Sequence, residues 1–345
     1  MSWNDGKQIT IAGESAPESN HGPALAVDTN AIYVAYVGEG GENLYLSYRD
    51  INPNDPQSWL NAPWGGNKRV KLTNGSEPQA NDRPAIAIFP GSLQMVYTDQ
   101  NHGLVHSLQY GGVGSGWINN GQIDVFPAGK VFNQPLMTKC SFKTESATEE
   151  DLYSILHLFV SDQSGTLWYT SQTLDLEYND LGAAINVTPW QPAQQLMLPR
   201  GGVQGVKYWS LTAYGETAYL LGFTNDQICI FRREPTDPTW EYFLTQYPPN
   251  GPIDPWAAAS PFGDAINLVF TPKGNSELYT ASSVADDTAP DLTNMIAVGI
   301  NGVVAKTNKA PSLVPYPDNT TGSANVLMIA YKANSSDKLY FAYTS

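Results

Sequence analysis

The chain carries polar, charged and aromatic residues directly before, or at the start of, short apolar runs that recur along its length. They are His21, Asp82, Arg83, Gln134, Lys207, Tyr208, Asp254, Trp256 and Lys309. If the fold brings these starts together, their cations and carboxylates share one pocket. Such a pocket could bind an anionic or polar small molecule, or perform acid–base chemistry where burial shifts the pKa of a carboxylate or histidine. The simpler alternative is a hydrophilic lining around a water-filled opening.

A second recurring position follows the aliphatic residue that opens a later strand of each repeat. Aromatic residues occupy it at Tyr45, Trp168, Tyr279 and Tyr340. Their rings could pack on the apolar face of a sugar while their polar atoms form hydrogen bonds. Polar groups close to these positions, which could add contacts, are Arg49, His106, Arg232 and Glu234. The alternative is that the rings fill the space between neighbouring sheets.

No metal, cofactor or catalytic residue can be assigned from the sequence. The histidines and the two cysteines lack the spacing of zinc ligands. A phosphate-binding glycine loop, a nucleophile elbow and a calcium-loop pattern are also missing from the sequence. We expect Cys140 and Cys229 to be buried thiols, and His157, within an apolar run, to be a hydrogen-bonded core histidine.

Charge and hydropathy narrow the class of partner. The formal net charge is −15 and the 18 lysines and arginines are scattered, whereas nucleic acids and anionic membranes attract clustered cations. No apolar run approaches the roughly 20 residues of a membrane span. We therefore expect a glycan or small-molecule ligand, no nucleic acid and no membrane insertion, and the oligomeric state stays open. The first residues lack a basic and apolar leader, which predicts a cytoplasmic protein or one secreted without a conventional signal peptide.

Six similar units make up the chain. Each begins with a short apolar run, and these read GPALAV, RPAIAI, QPLMTK, YWSLTA, DPWAAA and APSLVP. A second strand then ends in an aromatic residue, namely Tyr36, Tyr97, Phe159, Phe223, Phe270 and Tyr331. A polar turn and a third strand follow, and alternation of apolar and polar residues favours strands over helices.

Each unit supplies about four strands over roughly 50 to 60 residues, which is the size of a propeller blade. We predict an all-β, single-domain, six-bladed β-propeller. The predicted blades span residues 12–64, 65–117, 118–190, 191–240, 241–295 and 296–345, the last completed by residues 3–11. The N-terminal strand should close the last blade, because this pairing removes two exposed sheet edges. Insertions at 144–151 and 175–200 are predicted to be loops.

The segment LQMVYTDQNHGLVHSLQYGGVGSGW, from residue 93, resembles a repeat of the fungal fucose-binding lectin family. The resemblance can be laid over all six units and implies a six-bladed propeller with sugar sites between adjacent blades. In that family an Arg and a Glu on the strand after the turn bind sugar hydroxyls, and a Trp or Tyr packs on the sugar. This sequence departs from the pattern, because FRRE at residues 231–234 is the only approximate copy of the Arg–Glu pair.

The segment SDQSGTLWYTS, residues 161–171, is similar to the Asp box of sialidases, which are also six-bladed. Sialidase chemistry implies three arginines that clamp a carboxylate, a Tyr nucleophile with a Glu partner, and an Asp acid. Only Arg83 among the arginines stands at the start of an inner strand. Because the segment also matches the other turns of the repeat, we interpret it as a structural turn.

Two classes of function fit these features. The first is a carbohydrate-binding, lectin-like propeller that recognises glycans between blades or at the channel mouth. The second is a single-site enzyme, either a natural-product cyclase or a glycosidase or lyase, that uses a polar pocket at the central channel. Degeneracy of the repeats favours a single site, since a multivalent lectin gains avidity from equivalent sites.

Overall fold

A computed structural model describes most of the chain. The described residues are 3–52, 54–55, 57–89, 92–101, 103–110, 116–143, 152–179, 182–196, 205–214, 216–224, 227–235, 237, 239–246, 253–262, 265–284, 291–300, 303–317 and 324–344.

Six antiparallel sheets follow one another along the described chain, each with its first strand innermost. Blades 1 and 2 contain Ala24–Val27, Ala31–Val37, Leu44–Asp50 and Trp64–Arg69, then Ala85–Ile88, Leu93–Thr98, Val105–Tyr110 and Trp117–Gln122. Blades 3 and 4 contain Phe132–Lys143, Leu152–Asp162, Leu167–Asn179 and Gly182–Val187, then Tyr208–Tyr214, Thr217–Phe223, Ile228–Arg233 and Glu241–Gln246. Blades 5 and 6 contain Ile253–Phe262, Ala265–Pro272, Tyr279–Val284 and Asp291–Ala297, then Ser312–Pro317, Ala324–Lys332, Leu339–Thr344 and Trp3–Gln8.

Few other elements occur in the described chain. Gln194–Gln195 pairs with the third strand of blade 3, Gly299–Ile300 pairs with Val303–Val304, and Ser58–Leu60 forms one turn of 3-10 helix. This architecture confirms the predicted all-β, six-bladed propeller. No helix in the described part is long and apolar enough to cross a membrane.

The N-terminal strand closes the ring as predicted. Trp3–Gln8 forms the outer strand of blade 6, where Trp3 pairs with Thr344 and Gln8 with Tyr340. The bridge of Ile11 to Trp64 then leads the chain to blade 1. Both ends of the chain therefore stabilise the same sheet.

The prediction of a loop at 175–200 is wrong for much of that segment. The third strand of blade 3 continues to Asn179, and Gly182–Val187 forms the outer strand of the same blade. The outer strand of this blade begins at Gly182, whereas the outer strands of blades 1 and 2 begin at a tryptophan, so the repeat pattern did not predict it. Residues 144–151, the other predicted loop, lie outside the described residues.

The hydrophobic core lies between the blades. Six buried apolar clusters occur, and each joins two neighbouring blades, including blade 6 with blade 1. At that last junction Trp59 is fully buried and lies edge-on to Tyr343, with ring centres 4.8 Å apart. Cys140 and Cys229 are buried free thiols, as expected.

The inner strands surround a central channel with a cavity of about 350 Å³. Side chains join neighbouring inner strands across it. Ser312 of blade 6 accepts a hydrogen bond from the Leu25 amide of blade 1 (3.0 Å), and Ser210 of blade 4 accepts one from the Ala259 amide of blade 5 (3.1 Å). Because inner strands have one unpaired edge, such bonds satisfy backbone groups that face the channel.

We predict that Trp3→Ala lowers the free energy of unfolding by about 3 kcal/mol, because it leaves a cavity in the cluster between blades 5 and 6. Urea denaturation measures the change. Lys7→Ala, on the exposed side of the same strand, is the matched control and should change stability by less than about 0.5 kcal/mol. Equal effects of the two substitutions would contradict a structural role for the closing strand.

Candidate functional site

The starts of the inner strands meet at one end of the channel. There they enclose a cavity of about 380 Å³. The predicted residues that line it are His21, Asp82, Arg83, Gln134, Lys207, Tyr208 and Lys309. The structure therefore brings together most of the residues singled out from the sequence, and their role in binding stays a prediction.

Arg83 crosses the mouth of the channel from blade 2. Its Nη1 donates hydrogen bonds to the Tyr208 hydroxyl of blade 4 (3.0 Å) and to the Pro311 carbonyl of blade 6 (3.0 Å). The Gln134 amide of blade 3 donates to the same hydroxyl (3.1 Å). Because Arg83, Gln134 and Tyr208 line both the mouth cavity and the channel cavity, they form the layer between the two.

His21 and Asp82 form a pair on the rim of the mouth. The Asp82 carboxylate lies 3.1 Å from His21 Nδ1 and accepts a 2.7 Å hydrogen bond from the Arg83 amide. Gly22, next to His21, lies so close to the Ala310 carbonyl that a Cβ atom would stand 2.1 Å from its oxygen. The glycine therefore allows blades 1 and 6 to approach at this rim.

The electrostatics of the mouth differ from those of the whole chain. Arg83, Lys207 and Lys309 line the cavity, and Asp82 is the sole carboxylate among its described lining residues. The chain as a whole carries a formal net charge of −15. A local excess of positive charge within an acidic protein attracts anions.

Asp254 does not join the mouth cavity. The inner strand of blade 5 has a register shift between Asp254 and Ala257. The Asp254 carboxylate instead accepts a hydrogen bond from the Gly274 amide (3.3 Å), in the turn of its own blade. The side chain of Trp256 lies outside the described residues. Pro255 lies within this register shift, and a proline inside a strand is a sign of a bulge, but the repeat pattern alone did not reveal it.

Several residues that line the mouth were not among those predicted from the sequence. Trp209 follows Tyr208 on the inner strand of blade 4, and Ser161 and Leu167 flank the turn of blade 3. Trp209 lies within the apolar run YWSLTA, and its indole N–H is a polar group that could have marked it as a candidate. Ser161 and Leu167 come from a different part of the repeat, and their approach depends on the tilt of the blade.

The predicted residues between blades pack mainly on their own sheets. Tyr45 lies on Tyr36, His106 on Tyr97, and Tyr340 on Tyr331, with ring centres 5.5, 5.4 and 5.6 Å apart. In each case the two residues are directly paired across neighbouring strands. Cross-strand stacking thus accounts for Tyr45, Tyr340 and His106, and a role in ligand binding stays a prediction.

The remaining aromatic residues also have partners within the protein. The Tyr279 hydroxyl donates to Glu277 (3.1 Å), and the Trp168 indole donates to Asp162 (3.3 Å). His106 lies 3.7 Å from the Asp99 carboxylate. Burial lowers the pKa of His106 and outweighs the opposite effect of Asp99.

The arginines and the glutamate of the FRRE segment have separate partners and do not pair with one another. Arg232 lies over the Phe243 ring (4.7 Å) and near Glu241 (3.9 Å), whereas Glu234 accepts a 2.8 Å hydrogen bond from Thr217. Arg233 instead donates to the Tyr169 hydroxyl (2.8 Å).

His157 is a buried, hydrogen-bonded core histidine, as expected. Its Nδ1 lies 3.0 Å from the Tyr169 hydroxyl. Burial, together with the nearby Arg233, holds the pKa of His157 well below its ordinary value. The neutral imidazole is therefore the stable form within the protein.

Arg49 lines a separate cavity of about 350 Å³ between blades 6 and 1. Its guanidinium lies 4.9 Å from the centre of the Trp64 ring and 5.8 Å from that of Phe341. Lys7 and Tyr343 also line this cavity. It combines aromatic surface with cations, which is the character expected of a site between blades.

Asp162 organises the turn that resembles an Asp box. Its carboxylate accepts hydrogen bonds from the Ser164 and Thr166 amides, the Lys130 ammonium (2.9 Å) and the Trp168 indole. Burial alone would raise the pKa of Asp162, but the hydrogen bonds from Ser164, Lys130 and Trp168 outweigh it and hold the pKa well below its ordinary value. The segment is thus a structural turn, as interpreted from the sequence.

Metal chemistry has no evident centre in the described part of the chain. No group of three or more His, Cys, Asp or Glu side chains there could hold a metal ion.

The chain has similarities to several solved structures. No model of a known protein family matches it, and no curated protein matches its sequence. The catalytic domain of a GH62 α-L-arabinofuranosidase from Coprinopsis cinerea is 12% identical, with a TM-score of 0.47 over 99% of this chain and 96% of the other. A GH62 hydrolase in complex with xylotriose is 12% identical, with a TM-score of 0.48 over 99% and 97%.

A viral protein is similar at the same level. The subtype N10 neuraminidase-like protein of a little yellow-shouldered bat strain is 8% identical, with a TM-score of 0.42 over 100% of this chain and 98% of the other. These are similarities of backbone arrangement, and none of them assigns a ligand or a reaction to this chain.

We predict that Asp162→Ala lowers the free energy of unfolding by about 2 to 3 kcal/mol at neutral pH, because the part-buried donors Lys130 and Trp168 lose a charged acceptor. A carboxyl with a depressed pKa in the folded state stabilises above the pKa of the unfolded state, about 3.9. The advantage of the wild type should therefore shrink as the pH falls below about 4. Urea denaturation across this pH range measures it.

The matched control is Asp55→Ala, because Asp55 is an exposed aspartate that accepts the Gln57 amide in a surface turn. Its effect should be below about 1 kcal/mol. A loss in Asp162→Ala that does not depend on pH would show that packing, and not the carboxylate, stabilises the turn.

Proposed function

We propose that the protein is a lectin-like module that binds an acidic sugar, free or at the end of a glycan, in the cavity at the channel mouth. One observation carries the proposal. Arg83, Lys207 and Lys309 surround a cavity of about 380 Å³ with Asp82 as the sole carboxylate among its described lining residues. The volume falls in the range of about 300 to 1,000 Å³ that small-ligand pockets occupy.

The cations suit a carboxylate ligand. Arginine binds carboxylates with two parallel hydrogen bonds, and lysine adds a mobile point charge. Arg83 is already held across the mouth by Tyr208 and the Pro311 carbonyl. A guanidinium fixed in this way loses little side-chain entropy when a ligand binds.

Neutral groups in the same cavity suit sugar hydroxyls. The Gln134 amide and the Tyr208 hydroxyl can exchange hydrogen bonds with them, and Trp209 adds an aromatic surface. A ligand with both a carboxylate and several hydroxyls uses all of these groups. A simple inorganic anion uses only the cations.

Binding fits this cavity better than glycoside hydrolysis. The common hydrolytic mechanisms need two carboxyl groups on either side of the scissile bond. Among the described lining residues Asp82 stands alone, and its carboxylate already contacts His21 and the Arg83 amide.

Sialidase chemistry also lacks support. Arg49, Arg69, Arg232 and Arg233 lie on third or outer strands, away from the mouth. Arg200 lies outside the described residues. Arg83 is therefore the one described arginine that a bound carboxylate could meet at the mouth.

Calorimetry with glucuronic acid, N-acetylneuraminic acid and neutral glucose tests the proposal. We expect an acidic sugar to bind and Arg83→Ala to weaken that binding at least about tenfold, because a hydrogen bond to a charged group contributes about 1.5 to 3 kcal/mol. Lys207→Met, at an exposed rim position, should weaken it less and leave the fold unchanged.

Arg69→Ala is the matched control, because Arg69 is an exposed arginine paired with Glu77 on an outer strand. Its affinity should equal that of the wild type. Equal affinity for glucose and the acidic sugars would refute the proposal, as would binding that survives both Arg83→Ala and Lys207→Met.

A glycan array combined with a thermal-shift screen separates the lectin from the single-site enzyme. An enzyme would be favoured if the array shows no binding and a small anionic metabolite stabilises the protein in a way that Arg83→Ala abolishes. Binding of several glycans with more than one site per chain would rule out a single mouth site.

The cavity at Arg49 supports a second candidate, a site for a neutral sugar between blades 6 and 1. Trp64 and Tyr343 offer aromatic surface there, beside the Arg49 guanidinium. If a neutral glycan binds at this site, Arg49→Met should weaken it at least about tenfold and Arg83→Ala should leave it unchanged. The reverse pattern would exclude the cavity between blades.

A further inference from the structure

The central channel is chemically distinct from its mouth. Six inner strands line its cavity of about 350 Å³, and most of their side chains are small or apolar. Two charged residues, Arg83 and Lys139, stand among the described lining residues, with no carboxylate beside them. Arg83 belongs to the layer at the mouth, whereas Lys139 lies outside the mouth cavity.

Lys139 occupies a position that is uncharged in every other blade. It pairs with Leu156, three residues before the aromatic residue that ends the second strand of blade 3. The same pairing in the other blades identifies its equivalents as Ala26, Ala87, Leu211, Ser260 and Val314. The fold thus does not require a charged side chain at this level, and only blade 3 places one there.

Among the described residues, none supplies a countercharge to the Lys139 ammonium. No described residue forms an ion pair or hydrogen bond with its side chain, which is accessible to solvent. Protein atoms around it remove part of the water that would stabilise the ammonium. This burial lowers the pKa of Lys139, against a smaller opposite effect of Cys140. More of its amine is therefore neutral near pH 7 than in an ordinary lysine.

We propose that Lys139 is a nucleophilic amine that captures small aldehydes and oxo acids entering the channel, as a reversible imine. A lysine whose pKa is lowered by desolvation or by a nearby cation is the usual nucleophile for such carbonyl compounds. Carbonyl compounds that carry a carboxylate should be favoured, because both charged lining residues are cations. The proposal is independent of an acidic sugar at the mouth.

The chemistry balances without an oxidant or reductant. The lone pair of Nζ attacks the carbonyl carbon and forms a C–N bond while the π electrons move to the oxygen. A proton passes from nitrogen to oxygen, which gives a carbinolamine. Loss of one water molecule then forms the C=N bond of the imine, and water reverses the reaction.

Reductive trapping of the full chain with glyoxylate and cyanoborohydride tests the proposal. Peptide mass spectrometry measures the rate of adduct formation at each lysine. At about pH 7 the adduct should form at Lys139 at least about threefold faster than at Lys68, an exposed lysine of blade 1. The ratio should fall as the pH rises to about 10, because ordinary lysines then also become neutral. An equal or slower rate at Lys139, or a ratio that does not change with pH, would overturn the proposal.

Two variants distinguish a role of the Lys139 amine as a nucleophile from a role of its positive charge. Lys139→Arg keeps the cation, and Lys139→Met matches the apolar residues that other blades carry at this level. Both should abolish the channel adduct and leave the Lys68 rate unchanged. A similar total yield of adducts in these variants would mean that the labelling is non-specific. Arg69→Ala, which lies away from both cavities, should leave the adduct at Lys139 and the binding at the mouth unchanged. The mouth site is tested by calorimetry with acidic sugars and this proposal by the adduct at Lys139, so failure of the one is distinguishable from failure of the other.

Discussion

A propeller blade has two apolar faces and can cover neither by itself, so each blade depends on both of its neighbours. The buried clusters follow this constraint, since each joins two adjacent blades and the last joins blade 6 to blade 1. Trp64 of blade 1 packs on Phe341 of blade 6 at 5.3 Å between ring centres. The strand Trp3–Gln8 completes the blade that makes this contact. Because an unclosed ring would expose two apolar faces and two sheet edges, closure is the step on which the remaining contacts depend.

Closure also determines where polar chemistry can occur. The core occupies the spaces between blades, so the inner strands are left facing a channel, and the residues that precede them meet at its mouth. Arg83, Lys207 and Lys309 belong to none of the clusters between blades, although Tyr208 packs against one of them. Arg83 uses this freedom to bind groups on blades 4 and 6 from its position on blade 2. A long cation can therefore hold the rim together and still offer charge to a ligand.

The six-bladed fold and most of the mouth could be predicted because both follow from the repeat. Each start of an inner strand has the same place in the ring, so His21, Arg83 and Lys309 converge although they are far apart in sequence. The exceptions are local departures from the repeat. Asp254 is displaced by a bulge, and the 175–200 segment continues strands of blade 3. The stacking of Tyr45 on Tyr36 depends on strand register, which the sequence does not contain explicitly. Lys139 was not among the predicted site residues, because it lies inside an apolar run.

The residues on which the two proposals depend most, Arg83 and Lys139, each occur once among the equivalent positions of the six blades. Arg83 and Lys139 each stand where the other blades carry different residues, and the two lie at different levels of one channel. A multivalent lectin keeps equivalent sites because avidity grows with their number. Here the equivalent positions differ from blade to blade, whereas aromatic pairs and polar turns recur in several blades. The architecture is thus repeated and the unusual cations are not, which is the arrangement that the two proposed sites on the central axis require.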